Sequence, residues 1–315
     1  MKNSLFIFVL TVVLTISSAA QNAGTAGVFA RFGFGARGMA MGNALTAVST
    51  GDISTYYNPA LSAFSEHRTV NGTFSLLSLD RYLNFFSYTQ AIKPTAGVSV
   101  GIINFGVKNI DARDNDGVHT DNLSTTENQF YLAFSNRIDP HVSLGVAVKL
   151  YYSKLFEDVK STTVGFDIGA YIQATDNLGI GATMQDLNSK YKWDTQSLYG
   201  TDGKTTEDKF PTLRRVGIAY TLPSKCGVVS AEFENSSQGT NILRFGAEYS
   251  IVENFTVRSG LDRLDFSDQA TGAKPTFGFS VKNSFNGWTP TVTYAYVFES
   301  FAPHGMHIIT LSSAF

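Results

Sequence analysis

Seven charged side chains stand where chemistry would need them, each on the polar side of an otherwise apolar, alternating stretch: Lys149, Asp167, Arg215, Arg244, Glu248, Arg258 and Asp262. Both signs intermingle, and two uses are open to such a set. One is a mutually paired network, because a charge buried without a partner is costly. The other is a polar lining that selects a solute. Other chemistries are poorly supplied. The histidines His67, His119, His141, His304 and His307 have no metal-ligand spacing, and His304 and His307, three apart, fall on opposite sides of a strand. The run from Asp111 to Gly117 is rich in aspartate. With Gly117 as sixth residue of a calcium loop, however, the first is Ala112 and the twelfth Leu123, so two ligands are missing and a solvated loop is expected. No metal and no cofactor are expected. No nucleophile elbow or phosphate loop stands out, so no enzyme is expected. Cys226 is the only cysteine, which excludes an intramolecular disulfide. A net charge of −2 gives no reason to expect a nucleic-acid partner.

What positions these charges is a period of two. Val142, Leu144, Val146, Val148, Leu150 and Tyr152 alternate with Ser143, Gly145, Ala147, Lys149 and Tyr151, and the same division recurs around Asp167 and Arg258. From about Arg68 to Phe315 such segments number about fourteen, centred near Phe74, Phe86, Gly101, Leu132, Val148, Ile168, Gly181, Ile218, Ala231, Phe245, Val257, Phe279, Tyr294 and Ile309. Tight turn chemistry follows every second strand, at Lys93-Pro94-Thr95, Asp139-Pro140-His141, Asp176-Asn177, Pro223-Ser224-Lys225, Glu253-Asn254 and Asn286-Gly287. Polar and mostly longer connections fall between them, at Lys108 to Thr126, Glu157 to Lys160, Asn188 to Thr212 and Arg263 to Lys274; the turn near Asp80-Arg81 is short for that side. This is the pattern of an all-β, transmembrane antiparallel barrel with periplasmic turns and extracellular loops.

The compartment follows. Lys2, an apolar run from Leu5 to Ile16 and the small residues Ser17 to Ala20 form a secretory signal cut after Ala20, with no cysteine there to carry a lipid. A mean hydropathy near zero fits a barrel whose lipid-facing and lumen-facing residues alternate. Aromatics at 13% suit interfacial girdles. The expected location is the bacterial outer membrane, with its lipid as partner. The chain divides into a signal peptide (1–20), an amino-terminal hatch (21–66) and the barrel (67–315). The terminal Phe315 resembles the signal read by outer-membrane insertion machinery.

Gly24 to Ser65 breaks the alternation. It is dominated by small residues, with a turn at Asn58-Pro59 and a short helix expected from Pro59. Forty such residues ahead of a barrel must go somewhere, and the lumen is one place that satisfies their backbone. Gly35, Ala36, Arg37, Met41, Gly42, Asp52, Asn58, Pro59 and Ala60, with Gly24 to Gly27 before them, resemble the amino-terminal signature of the PorV/PorQ family of outer-membrane proteins. That family is similar to the wider FadL-like barrel superfamily, and the resemblance implies a fourteen-stranded barrel with a hatch inside. The pattern departs at Gly51-Asp52, where an acidic pair is common, and at Ala60-Leu61, where a glycine often follows. Arg37 and Asp52 are expected to join the lumen charge network.

The resemblance implies one function and the superfamily another. PorV/PorQ-type proteins are accessories of type IX protein secretion, which makes secreted cargo proteins and a secretion translocon the expected partners. In that case the long loops form the partner surface, with Tyr191, Trp193 and Tyr199 as exposed anchors. The FadL-like alternative is a channel for hydrophobic small molecules such as long-chain fatty acids, with an apolar pocket near the hatch that includes Phe29, Phe32, Phe34 and Met41.

Overall fold

The computed structural model describes residues 25–52, 55–156, 159–265, 273–300 and 302–315. The expected signal peptide lies outside the described residues, as do parts of two expected extracellular connections, 157–158 and 266–272. Fourteen antiparallel strands form a closed barrel. Seven precede a long insertion: β1 (Thr69–Leu76), β2 (Arg81–Ile92), β3 (Ala96–Arg113), β4 (His119–Asp139), β5 (Val142–Phe156), β6 (Val159–Gln173) and β7 (Leu178–Leu187). The insertion holds a separate hairpin, β8 (Lys190–Asp194) and β9 (Thr205–Lys209). Seven more strands follow: β10 (Leu213–Thr221), β11 (Gly227–Ser236), β12 (Asn241–Val252), β13 (Phe255–Asp265), β14 (Lys274–Lys282), β15 (Thr289–Val297) and β16 (Met306–Ala314).

Every expected strand centre lies in its own barrel strand. Spatial neighbours are chain neighbours except at two seams. There β7 pairs with β10 across the insertion, and β1 pairs with β16 from Thr69↔Ala314 to Leu76↔His307. Arg68 and Phe315 complete the closure with reciprocal backbone hydrogen bonds of 3.0 Å. Closure leaves no sheet edge, which is the condition for a sheet to stand in hydrocarbon.

The alternation read in the sequence sets inside against outside. In β5, Leu144, Val146, Val148 and Leu150 are exposed, whereas Ser143, Ala147, Lys149 and Tyr151 are buried. The same apolar outer face runs through β4 (Phe130, Leu132, Phe134) and β6 (Val164, Phe166, Ile168). Such a face belongs in lipid. Among the described residues no helix is long and apolar enough to cross a membrane; the strands do so. A closed barrel of this size with an apolar exterior is a protein of the bacterial outer membrane.

Barrel height is uneven. Strands β3 to β6 run 15–21 residues, whereas β1 and β16 have 8 and 9. This tall wall corrects one expectation, because most of Lys108 to Thr126 is not loop but ladder. After a bulge beyond Val107, pairing resumes at Ile110↔Leu123 and continues to Ala112↔Asp121. Polar strands are stable there because both faces meet water. Asn188 to Thr212 is likewise not an irregular loop; it carries β8, β9 and the four-residue helix Gln196–Tyr199.

The described residues between 25 and 64 lie in the lumen. They comprise a 3-10 turn (Val28–Arg31), the short helix α1 (Gly35–Ala40) and a second 3-10 turn (Pro59–Phe64), which takes the place of the helix expected from Pro59. Asn58 caps that turn: its side-chain oxygen accepts from Ala60 N at 3.0 Å, and its amide donates to Thr46 O and to Ala170 O of β6. The wall makes room for this backbone with a ring of inward glycines. A Cβ on Gly97, Gly145, Gly169, Gly181, Gly246 or Gly260 would lie 2.1 to 2.5 Å from an atom of the hatch.

Candidate functional site

Three ion-pair clusters line the lumen, and together they hold all seven charges singled out from sequence. Arg37 projects from α1 toward β12. Its Nε and Nη2 donate to the two carboxylate oxygens of Glu248, each at 2.9 Å, a bidentate geometry that lysine does not reproduce. Its Nη1 donates to the carbonyls of Thr50 and Asp52, both at 2.8 Å, so the chain from Thr50 to Asp52 wraps the guanidinium. Arg258 of β13 donates to the same Glu248 at 2.6 Å. Asp52 therefore joins through its carbonyl, while its carboxylate accepts from Ser312.

The second cluster lies on β10 to β13. Arg215 meets Glu234 at 2.6 Å, and Arg244 meets Asp262 at 2.7 Å, Glu234 at 3.0 Å and Glu232 at 3.2 Å. A bulge opposite Arg244, where Arg263 adopts φ 61°, brings Asp262 to it. The hatch is tied in here as well, because Asn43 Nδ2 donates to Asp262 and Thr46 N donates to Glu232. In the third cluster Lys149 bridges Asp167 at 2.7 Å and Asp186 at 2.9 Å, and Tyr151 donates to Asp186. These distances describe mutual pairing of buried charges, which offsets the desolvation that burial demands.

Sequence reasoning missed three members of these clusters. Glu232 and Glu234 share the inward parity of β11 and alternate with Ala231 and Phe233, so carrying the period of two through that strand finds them. Asp186 sits at φ 59° in a bulge between β6 and β7, where parity breaks. No alternation points to it.

The other hatch-signature residues anchor backbone. Gly35 (φ 72°) opens α1, and Ala36 N donates to Thr310 Oγ1 of β16 at 2.8 Å. Met41 and Gly42 press on Gly246 and Gly260, and Gly42, with φ 59°, has Phe245 O where a Cβ would go. Thr276 of β14 accepts from Gly42 N and donates to Ala40 O. Pro59 and Ala60 lie on Gly145 and Gly169, and Ser143 donates to Ala60 O.

Above this floor the hatch is aromatic. Phe34 packs on Phe85 at 4.9 Å and Tyr56 at 5.4 Å, while Phe29 and Phe32 both pack on Phe105. The expected apolar pocket of Phe29, Phe32, Phe34 and Met41 is not one space: Phe29, Phe34 and Met41 are buried, Met41 lies apart from the rings, on the β12–β13 side, and only a small cavity of 30 Å³ borders Phe34, Ala36 and Leu45. Aromatic rings there have filled the space they were expected to line.

Free volume lies above and below. At the extracellular mouth a cavity of 740 Å³ is bounded by the hatch at Thr25 to Val28, by Glu127 and Lys154 of the wall, and by Tyr191, Trp193 and Asp208 of the hairpin. The hairpin forms its lid, lying on the lumen side of β6, where Lys192 N donates to Ser161 Oγ and Thr163 donates to Lys190 O. Tyr191 donates to Glu127, and Phe210 packs edge-to-face on Tyr151 and Tyr191 and sits over Gly27. Tyr191 is therefore buried at 4% exposure, which removes it from the exposed anchors; Trp193 is half-buried on Tyr191, and Tyr199 alone of the three is fully exposed, at 66%. Below the hatch, a polar cavity of 380 Å³ is bordered by Arg37, Asp52, Glu66, Lys225, Arg258 and Lys282.

Comparison with family models finds no match, and comparison with curated protein sequences finds none. Solved structures do match. The CymD monoaromatic hydrocarbon channel aligns with a TM-score of 0.62 at 12% identity, over 90% of this chain and 97% of that one. The toluene transporter TodX of Pseudomonas putida gives 0.62 at 12%, over 90% and 96%. A Pseudomonas aeruginosa FadL homologue gives 0.58 at 12%, over 89% and 98%. At such identity the likeness is one of fold, and this chain shares the barrel fold of these three proteins.

Proposed function

We propose that this protein is an outer-membrane channel for the uptake of hydrophobic small molecules, with the hatch as the plug that solute must pass. The observation that supports this reading best is fold likeness over about nine-tenths of the chain to proteins described as hydrocarbon channels and a toluene transporter. The lumen agrees with it. An aromatic layer from Phe29 to Phe34 adjoins the mouth cavity of 740 Å³, which Tyr191 and Trp193 line beside Glu127, Lys154 and Asp208. Partition into such a layer is favourable because apolar surface leaves water.

The test is uptake of labelled toluene and labelled oleate by a Gram-negative host lacking its own hydrophobic-solute channel. Expression of this chain is expected to accelerate entry of at least one of them. Entry no faster than with an unrelated closed barrel overturns the reading.

The secretion-accessory role is the second reading, and its support is the PorV/PorQ-like signature from Gly24 to Ala60. It is tested by co-isolation with a translocon and secreted cargo. Deleting the loop from Ser189 to Lys209 is a poor test of it, because the hairpin closes the mouth. Tyr199→Ala, on the exposed face, separates the two roles: it is expected to weaken partner capture in the secretion reading and to leave solute uptake unchanged.

A further inference from the structure

The outer face of β2 to β6 has a depth profile of its own. Three rungs of directly paired residues cross these five strands, each rung two residues above the last. The lowest is Phe86, Ile102, Phe130, Leu150 and Val164, apolar throughout. Above it run Asn84, Asn104, Asn128, Tyr152 and Thr162. The third is Tyr82, Gly106, Thr126, Lys154 and Lys160, with the Lys108 ammonium 5.2 Å from the centre of the Tyr82 ring. Successive rungs are about 7 Å apart.

The upper two rungs are an unexpected choice for a lipid-facing wall. Asparagine is a poor strand residue, and an amide next to acyl chains is costly unless it is hydrogen-bonded. Asn104 Nδ2 donates to Asn128 Oδ1 at 2.7 Å, while the Asn84 side chain has no hydrogen bond among the described residues. Lys154 and Lys160 are direct cross-strand partners, and like charges so placed repel. Among the described residues neither makes an ion pair. Apolar surface, then amides and hydroxyls, then cations, in that order outward, is the complement of a lipid with acyl chains, a sugar headgroup and phosphate.

We propose that this wall seats a phosphorylated glycolipid of the outer leaflet. Its acyl chains lie along the Phe86 to Val164 rung, its sugar hydroxyls and amides meet the asparagine rung, and a phosphate sits between Lys154 and Lys160. By strand parity the site is on the outer side of the wall, and Lys154 stands at the rim, where it also borders the mouth cavity.

The test is native mass spectrometry of the purified protein in detergent, with bis-phosphorylated lipid A as probe and with phosphatidylglycerol and dephosphorylated lipid A as comparisons. The wild type is expected to retain lipid A in preference to both. Lys154→Glu with Lys160→Glu is expected to weaken retention about tenfold or more, since each basic residue at a membrane surface is worth about 1 kcal/mol toward anionic lipid. Asn104→Leu with Asn128→Leu is expected to abolish the preference for lipid A over phosphatidylglycerol. Lys204→Glu, on the hairpin, serves as the control that changes neither. Heat-dependent gel migration reports folding of each variant, and Lys154→Gln with Lys160→Gln replaces the charge reversal should that not fold. Equal retention of either comparison lipid, or full retention of lipid A by the lysine variants, overturns the proposal.

Discussion

Arg37 shows how much one side chain can hold when its geometry is fixed. It grips Glu248 on the wall with two nitrogens and the Thr50 to Asp52 segment with a third, its own side chain only 10% exposed. Removing one partner of a buried pair leaves the other uncompensated, so Arg37→Ala is expected to cost about 3–5 kcal/mol. Here Arg258 remains on Glu248, which places the expected loss at the lower end. Arg37→Lys keeps the charge and loses the fork, and an intermediate loss is expected. Thermal unfolding in detergent, followed by gel migration, checks both; an Arg37→Ala protein as stable as the wild type contradicts the assigned role. The charges were legible in sequence wherever they kept strand parity, as at Lys149, Asp167 and Arg258. Asp186 was not, because a bulge with φ 59° re-aims it, and bulges leave no periodic trace.

Strands and hatch meet at glycines as well as through side chains. Gly145 and Gly72 both belong to the barrel wall, yet a Cβ on Gly145 would sit 2.4 Å from Ala60 N, whereas one on Gly72 meets nothing within 4 Å. Gly145→Ala is therefore expected to destabilise by about 1–3 kcal/mol, the cost of overpacking, and Gly72→Ala to be neutral or stabilising; paired thermal melts check the contrast. The hairpin β8–β9 is a second element with a specific task. Its removal, from Lys190 to Lys209, is expected to speed maleimide labelling of Thr25→Cys in a Cys226→Ser background, because Tyr191 and Trp193 no longer cover the mouth. Unchanged labelling shows that the hairpin is not the lid. The fourteen barrel strands were readable because lipid outside and hatch inside impose opposite demands on alternate residues. The hairpin was not, because Tyr191 and Trp193 alternate over only five residues of β8 and Thr205 to Lys209 has no apolar residue, and neither did the polar upper ladder of β3 and β4 look like strand.

At the scale of the molecule, a wide barrel is closed twice, by the hatch at mid-depth and by the hairpin at the mouth. Planar-bilayer recordings are expected to show no steady ion conductance for the intact protein, and open-channel steps once residues 25–66 are deleted. Steady conductance from the intact chain means that the lumen is not sealed by the hatch. The glycine ring bears on how the molecule is built. Gly97, Gly145, Gly169, Gly181, Gly246 and Gly260 give up the side chains that fill the lumen of smaller barrels. At that depth the wall has no packing of its own, and the segment that completes it is synthesised first. Barrel closure at the β1–β16 seam is thus most favourable around a lumen already occupied, so the hatch serves as a mandrel in assembly before it serves as a plug.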